Sequence, residues 1–224
     1  MIPQSLRPTT ADAEDCLLLI ADTPELRDQV FRLRHQIYCI EHEYEPGESG
    51  REFDEYDTNA RHILLVHRSS GEPIGTTRVV LPSKRDGLTS LPMAQACGAG
   101  LLEGLPSATT GEVSRFAISK HRRLSCKAGA KVRLGLMKGL FQVSLEMGLT
   151  HWCAIMEPTL QRLLRFSAIH FKSLGGPVYF HGWRQPVYAS IADAFESVRL
   201  DQPEMWHWAT EGGMRAPERE ELVA

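Results

Sequence analysis

Two runs of β-forming residues, His62 to Arg68 and Ile74 to Leu81, are separated only by the turn sequence SSGEP, which predicts an antiparallel hairpin. Later apolar runs are spaced differently. EVSRFAIS (Glu112 to Ser119), Thr150 to Met156 and Pro177 to His181 are strand candidates separated by stretches of helical period. The first such stretch carries Val132, Leu136, Leu140, Val143 and Met147 in register, with Gly148 placed to stop it. The second, Pro158 to Leu174, turns Leu160, Leu163, Leu164, Phe171 and Leu174 inward. A helix from Thr23 to Tyr44 precedes the hairpin. Thr23 suits its cap, Pro24 its first turn, and Leu26, Val30, Leu33, Ile37 and Ile40 recur on one face. Strands joined first by a hairpin and then through helices predict an α/β fold, a mixed central sheet with helices on both faces. Residues 82–111 read as a variable crossover with a short helix near Leu91 to Cys97.

A chain of 224 residues, 42% hydrophobic and 24% charged, fits one globular domain over residues 23–212, with an N-terminal extension (1–22) and a loosely ordered tail (213–224). The net charge of −3 argues against a general nucleic-acid binder. Cys16, Cys39, Cys97, Cys126 and Cys153 are odd in number and include no C-x-x-C spacing, which predicts reduced thiols and a cytoplasmic location. The apolar run Cys16 to Ala21 follows acids rather than a basic region, so no signal peptide is expected. Nor does any segment approach the roughly 18 to 20 apolar residues of a membrane span. His151, His170 and His181 are spread singly, and no metal is expected.

Two charge constellations stand out. Glu52, Asp54, Glu55 and Asp57 crowd the loop before the hairpin, where a solvated face is the plain reading. Against it stand three arginines on elements that should be half buried: Arg34 on the first helix, Arg78 in GTTRVVL and Arg115 in EVSRFAI. A buried guanidinium without an acidic partner costs several kcal/mol, and the acidic loop can supply partners. The second constellation is Lys120 to Arg133, with six Lys or Arg, His121 and no acid. It is either a solvated helix face or an anion site at a strand-to-helix junction, suited to a phosphopantetheine donor on an acidic carrier protein.

The strings FRLRHQIYCIEHEY, FDEYD, GTTRVVL and GEVSRFAIS, in this order, resemble the signature of the autoinducer (N-acyl-homoserine-lactone) synthases and their relatives in the GCN5-related N-acyltransferase (GNAT) superfamily. The resemblance covers roughly residues 25–190. The C-terminal half, HWCAIMEPTLQRLLRFSAIHFKSLGGPVYFHGWRQP, is more similar to a sister branch, the N-acyl amino acid synthases and PEP-CTERM/exosortase-associated acyltransferases. The resemblance implies a GNAT-like fold and transfer of a fatty acyl group from an acyl-carrier-protein or coenzyme A thioester to the amine of an amino acid or derivative. It implies no tightly bound cofactor and a transient carrier-protein partner. The alternatives are homoserine lactone synthesis from S-adenosylmethionine and a degenerate acyl-carrier-binding module without turnover.

Carried over by position, the signature falls on Arg34, Tyr38, Tyr44, Asp54, Asp57, Arg78, Glu112 and Arg115. Glu112 is the expected general base, with Glu52 the alternative and Arg115 beside it. Arg34, Tyr38, Asp54, Asp57, Arg78 and Ser114 are expected to hold the acceptor, and Arg122, Arg123, Lys127, Gly129 and Lys131 the donor. In a regular strand Glu112 and Ser114 share one face while Arg115 points to the other, so joining Glu112 to Arg115 requires a bulge. The chain departs from acetyl-CoA-dependent members in their pyrophosphate motif R/Q-x-x-G-x-G/A, for which it offers only Cys126-x-x-Gly129-x-Lys131.

Overall fold

The computed structural model describes residues 16–44, 47, 49–122, 129–180 and 182–210. Its elements are β1 (Cys16–Ile20), α1 (Pro24–His35), β2 (Ala60–His67), β3 (Pro73–Val80), α2 (Pro92–Cys97), β4 (Thr110–Ile118), α3 (Gly129–Glu146), β5 (His151–Met156), α4 (Pro158–Phe166), β6 (Lys172–Ser173), β7 (Val178–Tyr179), β8 (Trp183–Ser190), α5 (Ile191–Asp201) and α6 (Pro203–Thr210). They fall into two compact units, Met1–Arg78 with Arg115–Val143 and Val79–Ser114 with Ser144–Ala224. Strands β3 and β4 and helix α3 run through both.

In the first unit the strand order is β1-β2-β3-β4. β1 pairs antiparallel with β2, Leu18 opposite Leu65 and Leu19 opposite Leu64. The run HILLVH is apolar without alternation because both of its faces are covered. Leu64 and Val66 pack with Val30 and Leu33 of α1, with Ile37 just beyond its end and with Ala117 of β4. Ile63 and Leu65 point the other way, onto α3, whose Gly139 and Gly135 let the helix come close. A Cβ at Gly139 would lie 2.6 Å from Ile63 Cγ2 and 2.9 Å from Leu18 Cδ1. Helices therefore lie on both faces of β2. Helix α1 begins as expected, with Thr23 Oγ1 accepting the Leu26 N–H at 3.3 Å and Pro24 in its first turn. It continues as a π-helical turn, Gln36–Glu41. The β2–β3 turn closes on Gly71, whose φ of +70° only glycine adopts cheaply.

In the second unit the order is β3-β4-β5-β8-β6, with β7 also on β8. β4 and β5 run parallel, whereas β5 and β8 are antiparallel from His151 opposite Ser190 to Met156 opposite Gln185. The sheet is therefore mixed. Trp152 is fully buried, donates through Nε1 to Ser144 Oγ at 2.7 Å and stacks on Phe171. Phe195 of α5 meets Trp206 of α6 edge to face.

Several expectations about elements need correction. Cys16–Ile20, for which the sequence predicts no element, is a strand paired with β2. The helix expected over Pro158–Leu174 ends at Phe166. Ala168 takes a left-handed φ of +59°, and the N–H groups of Ser167 and Ile169 both return to Leu164 O, which closes the last turn. Phe171 is buried from the segment beyond the helix. The strand expected at Pro177–His181 is only Val178–Tyr179, with His181 outside the described residues. Strand β8 and helices α5 and α6 were not anticipated.

Candidate active site

The FDEYD segment folds into a 3₁₀ turn, Glu55–Asn59, whose two ends cap each other. Asp54 Oδ1 accepts the Tyr56 N–H at 3.1 Å and Asp57 Oδ2 accepts the Asp54 N–H at 2.8 Å. Each capping carboxylate keeps an oxygen for other donors, and all three signature arginines use them. Arg78 grips Asp54 with both terminal nitrogens, at 2.6 and 2.8 Å, and also donates to Asp57 Oδ1 at 2.5 Å. Arg34 donates to Asp57 Oδ1 at 2.7 Å and, through Nε, to Glu52 Oε2. Arg115 reaches Glu52 Oε1 with Nε and Nη2 at 3.1 and 2.9 Å, and Asp54 Oδ2 at 3.0 Å. Three guanidiniums thus alternate with three carboxylates, all inside the first unit. The charge balances, which is what allows so many ions to be buried.

Burial divides the network. Arg34 and Arg78 are sealed off, and Asp57 and Glu52 nearly so. Arg115 and Asp54 keep 23% and 25% of their side chains exposed, so the network meets solvent as one guanidinium–carboxylate pair. The Tyr38 ring, one helical turn after Arg34, lies 5.6 Å below the Arg115 guanidinium. Tyr44 follows at 6.5 Å from Tyr38. Arg115 itself has φ +53°, a left-handed conformation inside a strand that a non-glycine residue adopts only under constraint. The irregularity expected beside EVSR therefore sits at Arg115.

The electrostatics follow from the pairing. Burial works to raise the Asp57 carboxyl, but Arg34 and then Arg78 outweigh it and hold the pKa at about 2. Glu52 and Asp54 likewise stay below their ordinary range despite burial, Glu52 through Arg34 and Arg115, Asp54 through Arg78 and Arg115. A carboxylate held ionised in this way is a poor proton acceptor. The network also encloses His62, which the sequence reading missed. His62 is buried at the start of β2, edge-on to Phe31, with its Nε2 3.8 Å from Asp57 Oδ1. Neither of its ring nitrogens nor Arg34 Nη2 has a hydrogen-bond partner among the described residues. Burial, then the positive charges of Arg34 and Arg78, push its pKa down to about 4 against the pull of Asp57. The only sequence signal was a histidine beginning an otherwise apolar strand.

Glu41, on the π-helical turn, also escaped the sequence reading. It accepts from Ser119 Oγ at 2.6 Å and from the Lys120 N–H at 2.7 Å, tying the end of α1 to the end of β4.

In the second unit, Glu112 is buried on β4 and accepts the Met93 N–H at 2.7 Å through Oε2. Burial and then the nearby Glu112 charge raise the Cys97 and Cys153 thiols, so neither favours the thiolate. Ser114 is half-buried on the same strand. Of the basic stretch, Arg122 donates to Pro73 O at 3.1 Å and lies 3.4 Å from Glu72. Arg123 and Lys127 fall outside the described residues, and Gly129 and Lys131 lie in the first turn of α3. Among the described residues no group of three or more His, Cys, Asp or Glu could hold a metal ion, and no helix is long and apolar enough to cross a membrane.

Solved structures share this fold. The acyl-homoserine lactone synthase BjaI, solved with SAM and isopentyl-CoA, is 21% identical over 94% of this chain and 95% of its own, with a TM-score of 0.63. FeeM, an N-acyl amino acid synthase from uncultured soil microbes, is 16% identical over 84% of this chain and 96% of its own, at 0.60. The AHL synthase LasI is 18% identical over 77% of this chain and 88% of its own, at 0.61. The same GNAT-like architecture extends to N-acetyltransferases. No curated protein sequence matches. A family model, N-acyl amino acid synthase FeeM, matches residues 29–193, a span holding the whole charge network and Glu112. The chain belongs to this FeeM family of N-acyl amino acid synthases and is an acyltransferase.

Proposed function

We propose that the protein moves a fatty acyl group from an acyl-carrier-protein or coenzyme A thioester to the α-amine of an amino acid. The observation that carries this reading is the solvent-reaching Asp54–Arg115 pair. A free amino acid is a zwitterion, and one carboxylate beside one guanidinium offers a partner for its ammonium and one for its carboxylate. Arg34, Asp57 and Arg78, with Glu52, act as positioning residues, because their burial keeps them from a bound acceptor. Tyr38, 5.6 Å from the Arg115 guanidinium, completes the acceptor site in the first unit, and Ser114 is assigned to acceptor binding from its place in the EVSR string alone.

The acceptor's ammonium, with a pKa of roughly 8, must lose a proton before its nitrogen can attack. Glu112 takes that proton, directly or through a water. The amine lone pair then adds to the thioester carbonyl, the tetrahedral intermediate collapses, the C–S bond breaks, the nitrogen's second proton leaves with the sulfur as the free thiol, and the proton on Glu112 passes to solvent. Glu52 is the weaker candidate base, since two arginines hold it ionised. β4 departs from regular strand geometry at Arg115, and the backbone N–H groups beside that turn are the oxyanion donors of this reading. Arg122, Arg123, Lys127, Gly129 and Lys131 receive the donor. We assign the protein to the cytoplasm, where carrier thioesters are made, and to the branch associated with PEP-CTERM/exosortase systems.

The test is thiol release by the purified protein from acyl-carrier-protein and acyl-CoA donors with free amino acids or S-adenosylmethionine, and mass spectrometry of the product. N-acyl amino acids made by wild type and lost in Glu112→Gln support the reading. Acyl-homoserine lactones would move the protein to the signal-synthase branch, and no thiol release from any donor would sink the proposal.

A further inference from the structure

The hairpin formed by β7 and the start of β8 displays three exposed aromatic side chains. Tyr179 and Trp183 are register partners across the hairpin, their rings edge to face at 5.7 Å, yet they remain 74% and 66% exposed. Phe180 is exposed beside them, its N–H donating to Gly182 O at 2.8 Å across the turn. A cross-strand aromatic pair stiffens such a ribbon, but burying neither ring leaves most of its apolar area in water.

The flanking sequence is basic. From Pro158 to Ala192 the chain carries Arg162, Arg165, Lys172 and Arg184 and no Asp or Glu, although the whole protein is net negative. Arg162, Arg165 and Lys172 are exposed. Lys172 pairs with Tyr188, five residues along β8 from the tip, roughly 17 Å away at strand rise. The acid next in sequence, Glu157, is engaged by Arg184 at 3.0 Å. Phe166 is also exposed, on the helix that carries Arg162 and Arg165.

We infer that this hairpin is a peripheral membrane-binding element that seats Tyr179, Phe180 and Trp183 in the headgroup region of an anionic bilayer, with Arg162, Arg165 and Lys172 drawn to the lipid phosphates. The residue types are those that settle at membrane interfaces, where an aromatic body meets apolar chains and the indole N–H or phenol O–H stays wet. Size favours a bilayer over a protein partner. Three rings of about 150–250 Å² each fall short of the ~800 Å² per partner of a stable protein interface. A lipid surface demands no complementary shape, and each basic residue near it adds to the attraction. The inference is independent of the acyl-transfer reading.

Vesicle sedimentation of the purified full-length protein tests it, comparing phosphatidylcholine vesicles with vesicles containing about 30% phosphatidylglycerol at low salt. The expected result is binding to the anionic vesicles alone, reduced at least about tenfold in a Tyr179→Ser/Trp183→Ser variant and severalfold in Lys172→Glu/Arg165→Glu. Both sets of side chains are exposed, and an unchanged melting temperature confirms that the variants fold. Absence of binding to anionic vesicles, or equal binding by the aromatic variant, would overturn the proposal. So would a concentration-dependent dimer abolished by the same variant, since the hairpin would then serve a second copy of the chain.

Discussion

Arg34 and Arg115 divide the two oxygens of one carboxylate, Arg34 taking Oε2 of Glu52 and Arg115 taking Oε1. Glu52 thus joins the sealed Arg34 to the end that meets solvent, as Asp54 joins the sealed Arg78 to it. Glu52→Gln keeps the shape but removes the charge, leaving Arg34 and Arg115 facing an amide. Loss of one partner from a buried ion pair costs about 3–5 kcal/mol. Denaturant unfolding should show a loss of that order, and Arg34→Met added to Glu52→Gln should cost less than the sum of the two single changes. Additivity would mean that the Arg34–Glu52 contact carries no coupling.

His62 gives the fold a pH dependence of its own. Its folded pKa of about 4 lies below the ordinary 6.5, so between these values the unfolded chain binds more protons than the native one. Stability from His62 is therefore fully present above pH 6.5 and is lost as pH falls toward 4. A shift of this size corresponds to roughly 3 kcal/mol. The Asp57 contribution disappears lower still, between its unfolded value near 3.8 and its folded value of about 2. Urea unfolding from pH 4 to 7 should give a rising stability for the wild type and a flatter profile for His62→Phe. Parallel profiles would assign the slope to other groups.

The first half of the chain was legible because its signals are local. SSGEP fixes the hairpin, Thr23-Pro24 the start of α1, and three arginines among apolar neighbours announce acidic partners, which the structure supplies from Glu52, Asp54 and Asp57. What was missed depends on tertiary context. Strand β8, WRQPVYAS, carries a proline in its centre and polar residues at its start, and it is a strand because β5 pairs with it from Gln185 to Ser190 and β7 with Trp183 and Arg184. Cys16–Ile20 is strand only through its pairing with β2. Helix α4 stops on an alanine in the left-handed region, where glycine would have signalled the end. His62 could not be placed in the site from sequence, since nothing local shows that β2 begins beneath Arg34 and Asp57.

The glycines of α3 make a prediction whose sign is set by packing. Helix propensity alone favours Gly→Ala by about 1 kcal/mol. At Gly139 the new methyl would meet Ile63 Cγ2 at 2.6 Å and Leu18 Cδ1 at 2.9 Å, the first on a core side chain and the second on a half-buried one. Overpacking of this kind costs about 1–3 kcal/mol. Gly139→Ala should therefore lower the melting temperature, and Ile63→Ala in the same chain should recover part of the loss. At Gly135 the Leu65 side chain alone is approached, closest at 2.9 Å, so Gly135→Ala should be milder. Equal stabilisation at both sites would mean that the helix can shift away from the sheet.

Arg115 combines two properties that substitution can separate, a left-handed backbone and a guanidinium shared by Glu52 and Asp54. Arg115→Ala removes the charge and keeps a side chain where φ is +53°, whereas Arg115→Gly removes the charge and relieves the backbone. The difference between them should be about 1 kcal/mol in favour of glycine, the ordinary cost of a left-handed conformation for a residue with a Cβ. Both lose the ion pairs equally, so both should raise KM for the amine acceptor by the same factor. If the strand irregularity matters only for placing the guanidinium, the two variants will also share one kcat. A higher kcat for alanine would show that the rigid left-handed turn itself orders the oxyanion donors of β4, because glycine leaves that turn free to relax. Stability and kcat thus report on the backbone, and KM on the charge, within one pair of variants.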